Sequence, residues 1–402
     1  MKTKLIKGGI TAPQGFSANG LVCGIKKSGK KDLSLIYSAK SCVAAGVFTT
    51  NKVKASCVIL NKKRIAKGVA QAIVVNSGNA NCLTGKRGFE DSLAMAAAAA
   101  DILGVSEEHV CVVSTGIIGK PLPIEKITAA MPQLAAGLGK RGGRAAAEGI
   151  MTTDHVSKEA AIECVIGGAK VCIGAIAKGG GMIHPQMATM LCFVSTDVSI
   201  TQSALKHSLG AAVEKTFNMI TVDGDMSTND MVLILANGLA TNKRITKSSK
   251  ELEVFTSALE SLFLKIVEMM MRDAEGATKF VEVRVSGARS RKDARTIARS
   301  IASSNLVKCA IFGSDPNWGR IAVAAGYAGG ALDPEKMKIY LGRVLVLKNG
   351  GAVHMSSART RSVFKKKKIL ITVDLGLGKY SANAYTCDLS TDYVLFNSAY
   401  YT

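Results

Sequence analysis

Short apolar runs with the lengths of strands are spread over the whole chain, and helical segments fall between them irregularly. Continuous runs of Val, Ile, Leu and Cys predict buried strands, and periodic or Ala-rich segments predict helices. Strands are predicted at residues 71–77, 109–114, 161–168, 170–177, 191–197, 231–238, 281–287, 367–378 and 380–390. Helices are predicted at residues 88–103, 201–217, 250–273 and 290–304. This order lacks the strict strand–helix–strand alternation of a doubly wound sheet, so the sequence predicts a layered α+β sandwich.

Two local features can be predicted as well. Thr201 immediately precedes a helical segment, which is the position where a threonine side chain caps a helix amino terminus. The last two strands, at residues 367–378 and 380–390, are joined through glycine-rich turns. We therefore expect these two strands to be antiparallel.

Several classes of protein are disfavoured by the same residues. The longest apolar stretch, residues 93–100, is far shorter than the roughly 18 residues that a membrane-spanning helix needs. The amino terminus begins with positive charge but has no apolar run of about 7 residues, so a secretory signal is not expected. Ten cysteines stand singly with no CxxC pair, which favours buried reduced thiols over disulfides or zinc. We expect a cytoplasmic protein with no membrane partner.

The formal net charge of +22 allows a nucleic-acid or other anionic partner. However, the positive residues are mostly scattered, and aromatic residues make up only 5% of the chain. None interleave with the basic clusters, as stacking on single strands would require. A solvated basic surface without a nucleic-acid partner is therefore our interpretation.

Residues 178–191, KGGGMIHPQMATML, carry the most information about function. Three successive glycines after Lys178 permit backbone conformations that other residues avoid. The phosphate-binding order G-x-x-x-x-G-K-[ST] is absent, so a P-loop is not expected. From the residues alone, this segment is a glycine-rich turn before a strand.

The same segment closely resembles the self-cleavage signature of the ornithine acetyltransferase family, the bacterial glutamate N-acetyltransferases of arginine biosynthesis. The usual form is K-G-[SA]-G-M-I-x-P-x-M-A-T-M-L, from which Gly180 and Gln186 depart mildly. The resemblance covers essentially the whole chain. It includes NSGNAN (76–81), VSTGIIG (113–119), MTTD (151–154), DGDMSTND (223–230), AEGATK (274–279), DPNWGR (315–320) and a final N-x4-T that ends at Thr402.

The resemblance implies the layered α/β sandwich of the self-processing ornithine acetyltransferase or DmpA-like type. It also implies self-cleavage between Ala188 and Thr189, giving an alpha chain of residues 1–188 and a beta chain of residues 189–402. Thr189 would then be the amino-terminal nucleophile, with its own α-amine as the general base. The two chains are expected to stay intertwined and to assemble as a heterotetramer of two alpha and two beta chains.

Roles for further residues follow from the same resemblance. Thr115, through its hydroxyl, and Gly116, through its backbone N–H, would form the oxyanion hole. Lys178, Glu275, Asn397 and Thr402 would bind substrate together with Thr189, and one of Thr152 and Thr153 would join them. The implied reaction transfers acetyl from N-acetylornithine to glutamate by a ping-pong mechanism through acetyl-Thr189. No cofactor is implied; some family members also accept acetyl-CoA as a substrate, and no residue here decides that question.

Two histidines need separate interpretation. His155 stands where the family often has threonine, and this difference would alter the edge of the pocket. His184 lies five residues before the nucleophile, but the family tolerates other residues there, so we do not assign it as a base. The remaining histidines show no metal-ligand spacing, and no metal is expected.

Two alternatives remain at this point. A self-processing amidohydrolase or aminopeptidase would use the same nucleophile and pass the acyl group to water. A basic nucleic-acid-binding protein would show binding that weakens steeply with salt, and it would be unaffected by Thr189→Ala.

Overall fold

The computed structural model describes residues 3–184, 190–354 and 357–398, which form two sheets and the helices that cover them. The strands are β1 (Lys4–Ile6), β2 (Phe16–Leu21), β3 (Leu33–Phe48), β4 (Val69–Asn79), β5 (Val110–Ile117), β6 (Lys158–Ile166), β7 (Ala169–Lys178), β8 (Leu191–Thr196), β9 (Met231–Ala236), β10 (Phe280–Ala288), β11 (Lys338–Leu341), β12 (Val344–Lys348), β13 (Gly351–Ala352), β14 (Lys368–Asp374) and β15 (Tyr380–Cys387). The α-helices are α1 (Ser56–Ala66), α2 (Gly85–Leu103), α3 (Ile124–Ala136), α4 (Gly143–Gly149), α5 (Gln202–Lys215), α6 (Glu251–Arg272), α7 (Arg291–Ser303), α8 (Asn305–Phe312), α9 (Trp318–Gly326), α10 (Ser357–Phe364) and α11 (Thr391–Ser398).

The larger sheet contains nine of the described strands and is mixed. Its order is β1-β6-β7-β8-β9-β3-β4-β5, with β2 paired to β3. The pairs β8/β9 and β4/β5 are parallel, and the other neighbours are antiparallel. Every residue of the central strands β8 and β9 is buried. These two strands are continuous apolar runs because both faces of the sheet are covered.

Helices pack on both faces of this sheet. In β8, Cys192 and Val194 face the core that contains α5 and α6. The alternating residues Leu191 and Phe193 face the opposite core, which contains α1, α2 and α3. Successive side chains of a strand point to opposite faces, so this one strand contributes to both cores. The result is the layered α+β architecture predicted from the sequence.

The smaller sheet has the order β13-β12-β11-β14-β10-β15 in the described residues and is covered by α7, α8 and α9. The last two predicted strands, now β14 and β15, do run antiparallel, but they do not pair with each other. The strand β10 lies between them, parallel to β14 and antiparallel to β15. Their connection passes the end of β10, where the N–H of Leu377 donates to the carbonyl of Gly287 (2.7 Å).

The boundaries of the four predicted helices, now α2, α5, α6 and α7, agree with the sequence analysis to within three residues. The Thr201 side chain accepts a hydrogen bond from the N–H of Ala204 and caps α5 as predicted. The predicted long helix at residues 250–273 is α6. The ten cysteines all lie in the described residues and are free thiols. No helix within the described ranges combines the length and the apolarity needed to cross a membrane.

The apolar face of α6 should contribute strongly to stability. Leu259 is fully buried in the core between α6 and the larger sheet. We expect Leu259→Ala to lower the free energy of unfolding by about 2–5 kcal/mol, because it removes buried methyl groups and leaves a cavity. The exposed Ser257→Ala on the same helix should change it by less than about 0.5 kcal/mol. Urea unfolding monitored by circular dichroism checks both values, and equal effects would contradict this packing.

Candidate functional site

A small pocket of about 130 Å³, lined mostly by polar residues, lies at the ends of β5 and β7, against the carboxyl-terminal helix α11. It is lined by six residues that the sequence analysis assigned to catalysis or substrate binding: Thr115, Gly116, Thr152, Lys178, Glu275 and Asn397. Thr153 lines the pocket as well, so both threonines remain candidates for substrate binding. The pocket thus brings together residues from six separate segments of the chain.

Gly116 at the end of β5 can only be a glycine. Its φ is +132°, and a Cβ built on it would lie 2.3 Å from the carbonyl carbon of Gly78. The backbone of β4 approaches this closely because the register of the parallel β4/β5 pair shifts at Gly78 and Asn79. The NSGNAN motif therefore fixes the backbone on which Thr115 and Gly116 lie. Rigid donors of this kind suit an oxyanion hole.

Asn229 connects the loop before β9 to the backbone next to Thr115. Its side-chain amide donates to the carbonyls of Ala80 and Ser114, both at 2.7 Å. Its own Oδ1 accepts from the Thr228 hydroxyl. The sequence analysis matched the DGDMSTND motif without giving any of its residues a role. Its lining residues Ser227, Thr228 and Asn229 are therefore additions from the structure.

Lys178 is the last residue of β7 and is almost completely buried. Its Nζ lies 3.5 Å from the Thr115 hydroxyl. Burial lowers the pKa of Lys178, while the nearby carboxylates of Asp154, Asp230 and Glu275 oppose this effect. An amine held among carboxylates in a buried pocket can bind the carboxylate of a small substrate only in competition with these groups.

A buried ion network supports the floor of the pocket. The fully buried Nζ of Lys158 lies 2.6 Å from both Asp154 Oδ1 and Asp273 Oδ2. The Asp154 carboxylate also accepts the N–H of Gly179 (2.8 Å) and of Thr152 (3.1 Å). The network therefore holds the MTTD segment and the glycine turn after Lys178 in one arrangement.

Asp273 also positions His155, the residue that differs from the family pattern. The Asp273 carboxylate accepts the backbone N–H of His155 (3.1 Å), and the imidazole Nδ1 is 3.5 Å from Asp273 Oδ1. The His155 side chain is largely exposed. It does not line the pocket described above.

The glycine turn is shaped by Glu275. A Cβ on Gly181 would lie 2.2 Å from Glu275 Oε2, so no larger residue fits there without displacing the carboxylate. At Gly180, where the family usually has serine or alanine, a Cβ would lie 3.0 Å from the Thr153 hydroxyl oxygen. The N–H of Glu275 donates to the carbonyl of Gly180 (2.9 Å). The glycine turn and Glu275 therefore hold each other in position.

The carboxyl-terminal helix brings Asn397 to this carboxylate. The Asn397 side-chain amide donates to Glu275 Oε2 at 2.9 Å. Gly276, with φ +66°, allows the start of α11 to approach, since a Cβ there would lie 2.4 Å from the Tyr393 nitrogen. The Ser390 hydroxyl donates to the carbonyl of Gly276 (2.6 Å). These contacts hold the carboxyl-terminal helix α11 directly against the AEGATK segment.

Asp223 anchors the segment that leads to the proposed cleavage site. Its carboxylate accepts the N–H of Met182 (2.5 Å) and of Ile183 (2.9 Å), and the Tyr393 hydroxyl donates to it (3.2 Å). His184 follows, with a buried Nδ1 that has no hydrogen-bond partner among the described residues. Burial lowers the pKa of His184, and Arg299 acts in the same direction.

Three of the predicted residues cannot be placed. Ala188, Thr189 and Thr402 lie outside the described residues, as does Gln186. No cluster of potential metal ligands occurs within the described ranges.

The sequence matches the ArgJ family over residues 17–402. An "Arginine biosynthesis bifunctional protein ArgJ" from Symbiobacterium thermophilum is 49% identical over 399 residues, covering 99% of each chain. A protein of the same description from Caldanaerobacter subterraneus is 47% identical over 403 residues, covering 99% of this chain and 100% of the relative. A crystal structure of ArgJ from Bacillus halodurans is 40% identical, with a TM-score of 0.50, over 52% of this chain and 98% of that chain. The chain belongs to the ArgJ family and is an acetyltransferase of arginine biosynthesis.

The buried ion network should make the free energy of unfolding depend on pH in the acidic range. Burial by itself raises the pKa of Asp154, but the charges of Lys158 and Lys178 and the Gly179 N–H outweigh it and lower the pKa to about 2. A carboxyl group with a lowered folded-state pKa contributes stability that is present above about pH 4 and is lost as the pH falls toward 2. The contribution is on the order of 2 kcal/mol.

We expect the stability difference between the wild type and Asp154→Asn to shrink as the pH falls from 6 to 3. Urea unfolding at each pH measures this difference. Asp101→Asn, at an exposed position in α2, serves as the control and should keep the pH dependence of the wild type. A difference that stays constant with pH would contradict the lowered pKa.

Proposed function

We propose that the chain cleaves itself between Ala188 and Thr189 and then transfers acetyl from N-acetylornithine to glutamate through acetyl-Thr189. One observation carries this proposal: those residues with roles implied by the family resemblance that the structure describes converge on one pocket. They come from β5, the MTTD segment, β7, the loop after α6 and α11. Such convergence supports a shared chemical role for these residues.

The proposed chemistry assigns the attack to Thr189. Its α-amine, freed by cleavage, takes the proton of its hydroxyl, which attacks the acetyl carbonyl of N-acetylornithine. An α-amine has an ordinary pKa of about 7.7–8.0, so it can act as a base near neutral pH. The Thr115 hydroxyl and the Gly116 N–H stabilise the developing oxyanion. Ornithine leaves, and the amine of glutamate then attacks acetyl-Thr189 and carries the acetyl group away.

The two substrates share an amino-acid carboxylate and differ at the far end. Lys178 is the cation suited to the shared carboxylate, with Thr152 or Thr153 beside it. Glu275 is the acidic group for the distal amine of N-acetylornithine. Asn397, which donates to Glu275 Oε2, holds this carboxylate in place, and Thr402 completes the set in this proposal.

Further parts of the proposal rest on the family. The Bacillus halodurans ArgJ chain aligns over 98% of its own length but over 52% of this chain, close to the share of residues 189–402. A relative of that length supports cleavage into chains of residues 1–188 and 189–402. We propose that these assemble as two alpha and two beta chains in the cytoplasm, and that acetyl-CoA serves as a second acetyl donor. No cofactor takes part.

Self-cleavage can be tested by intact mass spectrometry of the purified full chain. We expect the wild type to give two fragments, the second beginning at Thr189, because the threonine hydroxyl attacks the preceding carbonyl. Thr189→Ala should remain one uncut chain without transferase activity. The exposed Thr246→Ala should be cut like the wild type. A wild-type chain that stays whole after long incubation would contradict the proposal.

The role of Glu275 can be tested separately by kinetics. Glu275→Gln should lower kcat/KM for N-acetylornithine by about 10–100-fold, because a hydrogen bond to a charged amine is worth roughly 1.5–3 kcal/mol. An N-acetyl amino acid of similar length without the distal amine should show little difference between the two enzymes. Equal losses for both donors would show that Glu275 does not select the amine. Hydrolysis without transfer to glutamate would favour an amidohydrolase.

A further inference from the structure

A second cavity, which we call the basic cleft, is lined by parts of α5, α6 and α7 and by residues 379–383 at the start of β15. Its volume of about 540 Å³ is within the range of roughly 300–1,000 Å³ that is usual for small-molecule pockets. No residue lines both the basic cleft and the candidate site. A ligand in the basic cleft would therefore not take the place of the substrates.

The basic cleft has more positive than negative side chains. Two of its four cations already have carboxylate partners, because Arg295 pairs with Glu214 and Lys215 pairs with a glutamate of α6. The other two cations, Arg291 and Lys379, form no ion pair within the described part of the chain. The basic cleft thus contains two charges that an anionic ligand can neutralise.

Three arginines also follow one another along one face of α7. Arg291, Arg295 and Arg299 are four residues apart, and side chains at this spacing are neighbours on a helix. Like charges in such a row destabilise the helix. Arg299 is half-buried; burial and the charge of Arg295 both lower its pKa, and Glu214 opposes this effect. One carboxylate therefore compensates this row only in part, and a bound anion would relieve the repulsion.

The side chains around the unpaired cations indicate which anion fits. A guanidinium group binds phosphate oxygens through two parallel hydrogen bonds, and an ammonium group adds a point charge. Two such cations, at Arg291 and Lys379, match a diphosphate better than a single carboxylate. Tyr380 follows Lys379 and is partly exposed, and an aromatic ring at this place can stack with a nucleobase. The exposed Ser381 adds a hydroxyl group to the same lining.

We propose that the basic cleft binds a nucleoside diphosphate group, with its phosphates between Arg291 and Lys379 and its base on Tyr380. Free nucleotides carry this group, and so do larger molecules built on one, such as coenzyme A. A strand of nucleic acid is a poorer match, because these cations converge on a cavity and do not follow an open surface. The binding needs neither self-cleavage nor acetyl transfer.

Isothermal titration calorimetry of the purified full chain with ADP tests this site. We expect the wild type to bind with a Kd below about 1 mM. Arg291→Ala and Lys379→Ala should each raise the Kd by about 10-fold or more, because each removes a charged partner of the phosphates. Lys292→Ala is the matched control, since it removes an exposed cation of the same helix that does not line the basic cleft. It should leave the Kd close to the wild-type value.

Variants of Tyr380 test where the base lies. Tyr380→Ala should weaken the binding of ADP by about 5-fold or more and leave the binding of pyrophosphate unchanged, because only ADP loses a stacking partner. Tyr380→Phe keeps the ring and should bind both probes like the wild type. Equal losses for ADP and pyrophosphate in Tyr380→Ala would contradict the placement of the base. Circular dichroism checks that each variant is folded.

Titration with coenzyme A distinguishes the two sources of the group. Tighter binding of coenzyme A than of ADP, weakened in Arg291→Ala, would identify the larger molecule, and the reverse order would identify the free nucleotide. Absence of binding by both probes, or binding that is unchanged in Arg291→Ala and Lys379→Ala, would overturn the proposal. Competition between ADP and ornithine would place ADP in the candidate site and overturn it as well. An uncut, inactive wild type that still binds ADP would overturn only the proposed function.

Discussion

The register of three central strands sets the geometry of the whole site. Lys178 of β7 is level with Leu191 of β8, and Leu191 is level with Met231 of β9. A slip by one residue would exchange the two faces of a strand and move its apolar side chains out of their cores. Because β8 and β9 are buried on both faces, both cores enforce this register. The positions of Lys178 and of the residues before β8 and β9 follow from that constraint.

Electrostatics inside the pocket differs from that of the chain as a whole. The net charge is +22, yet the buried Lys178 is surrounded by the carboxylates of Asp154, Asp230 and Glu275. The scattered surface charge cannot supply this arrangement, because exposed charges are screened over about 10 Å in ordinary salt. What matters for the pocket is the buried Lys158, whose ammonium group pairs with both Asp154 and Asp273. The chemistry of the site thus depends on a few buried pairs.

Local patterns predicted nine of the fifteen described strands and four of the eleven described α-helices, and they missed the long central strand β3. The Thr201 cap and the bounds of α6 depend on neighbours within a few residues, so the sequence contains them. The insertion of β10 between β14 and β15 depends on a partner about 90 residues away, which no local pattern contains. In the site, the family resemblance selected the residues that line the pocket. It missed Asn229 and Lys158, whose roles become visible only when distant backbone segments are seen in contact.

Cleavage at residue 188 would not separate the two products, because the larger sheet is built from both. The strand β7 lies before the cut and β8 after it, and six pairs of residues, from Ile173 with Thr196 to Lys178 with Leu191, join them. On the other side, β9 pairs with β3, which again belongs to the first product. Thr115 and Gly116, the proposed oxyanion pair, are fixed by backbone contacts within the first product and by the Asn229 amide of the second. The described lining of the pocket is therefore already assembled from both parts of the uncut chain.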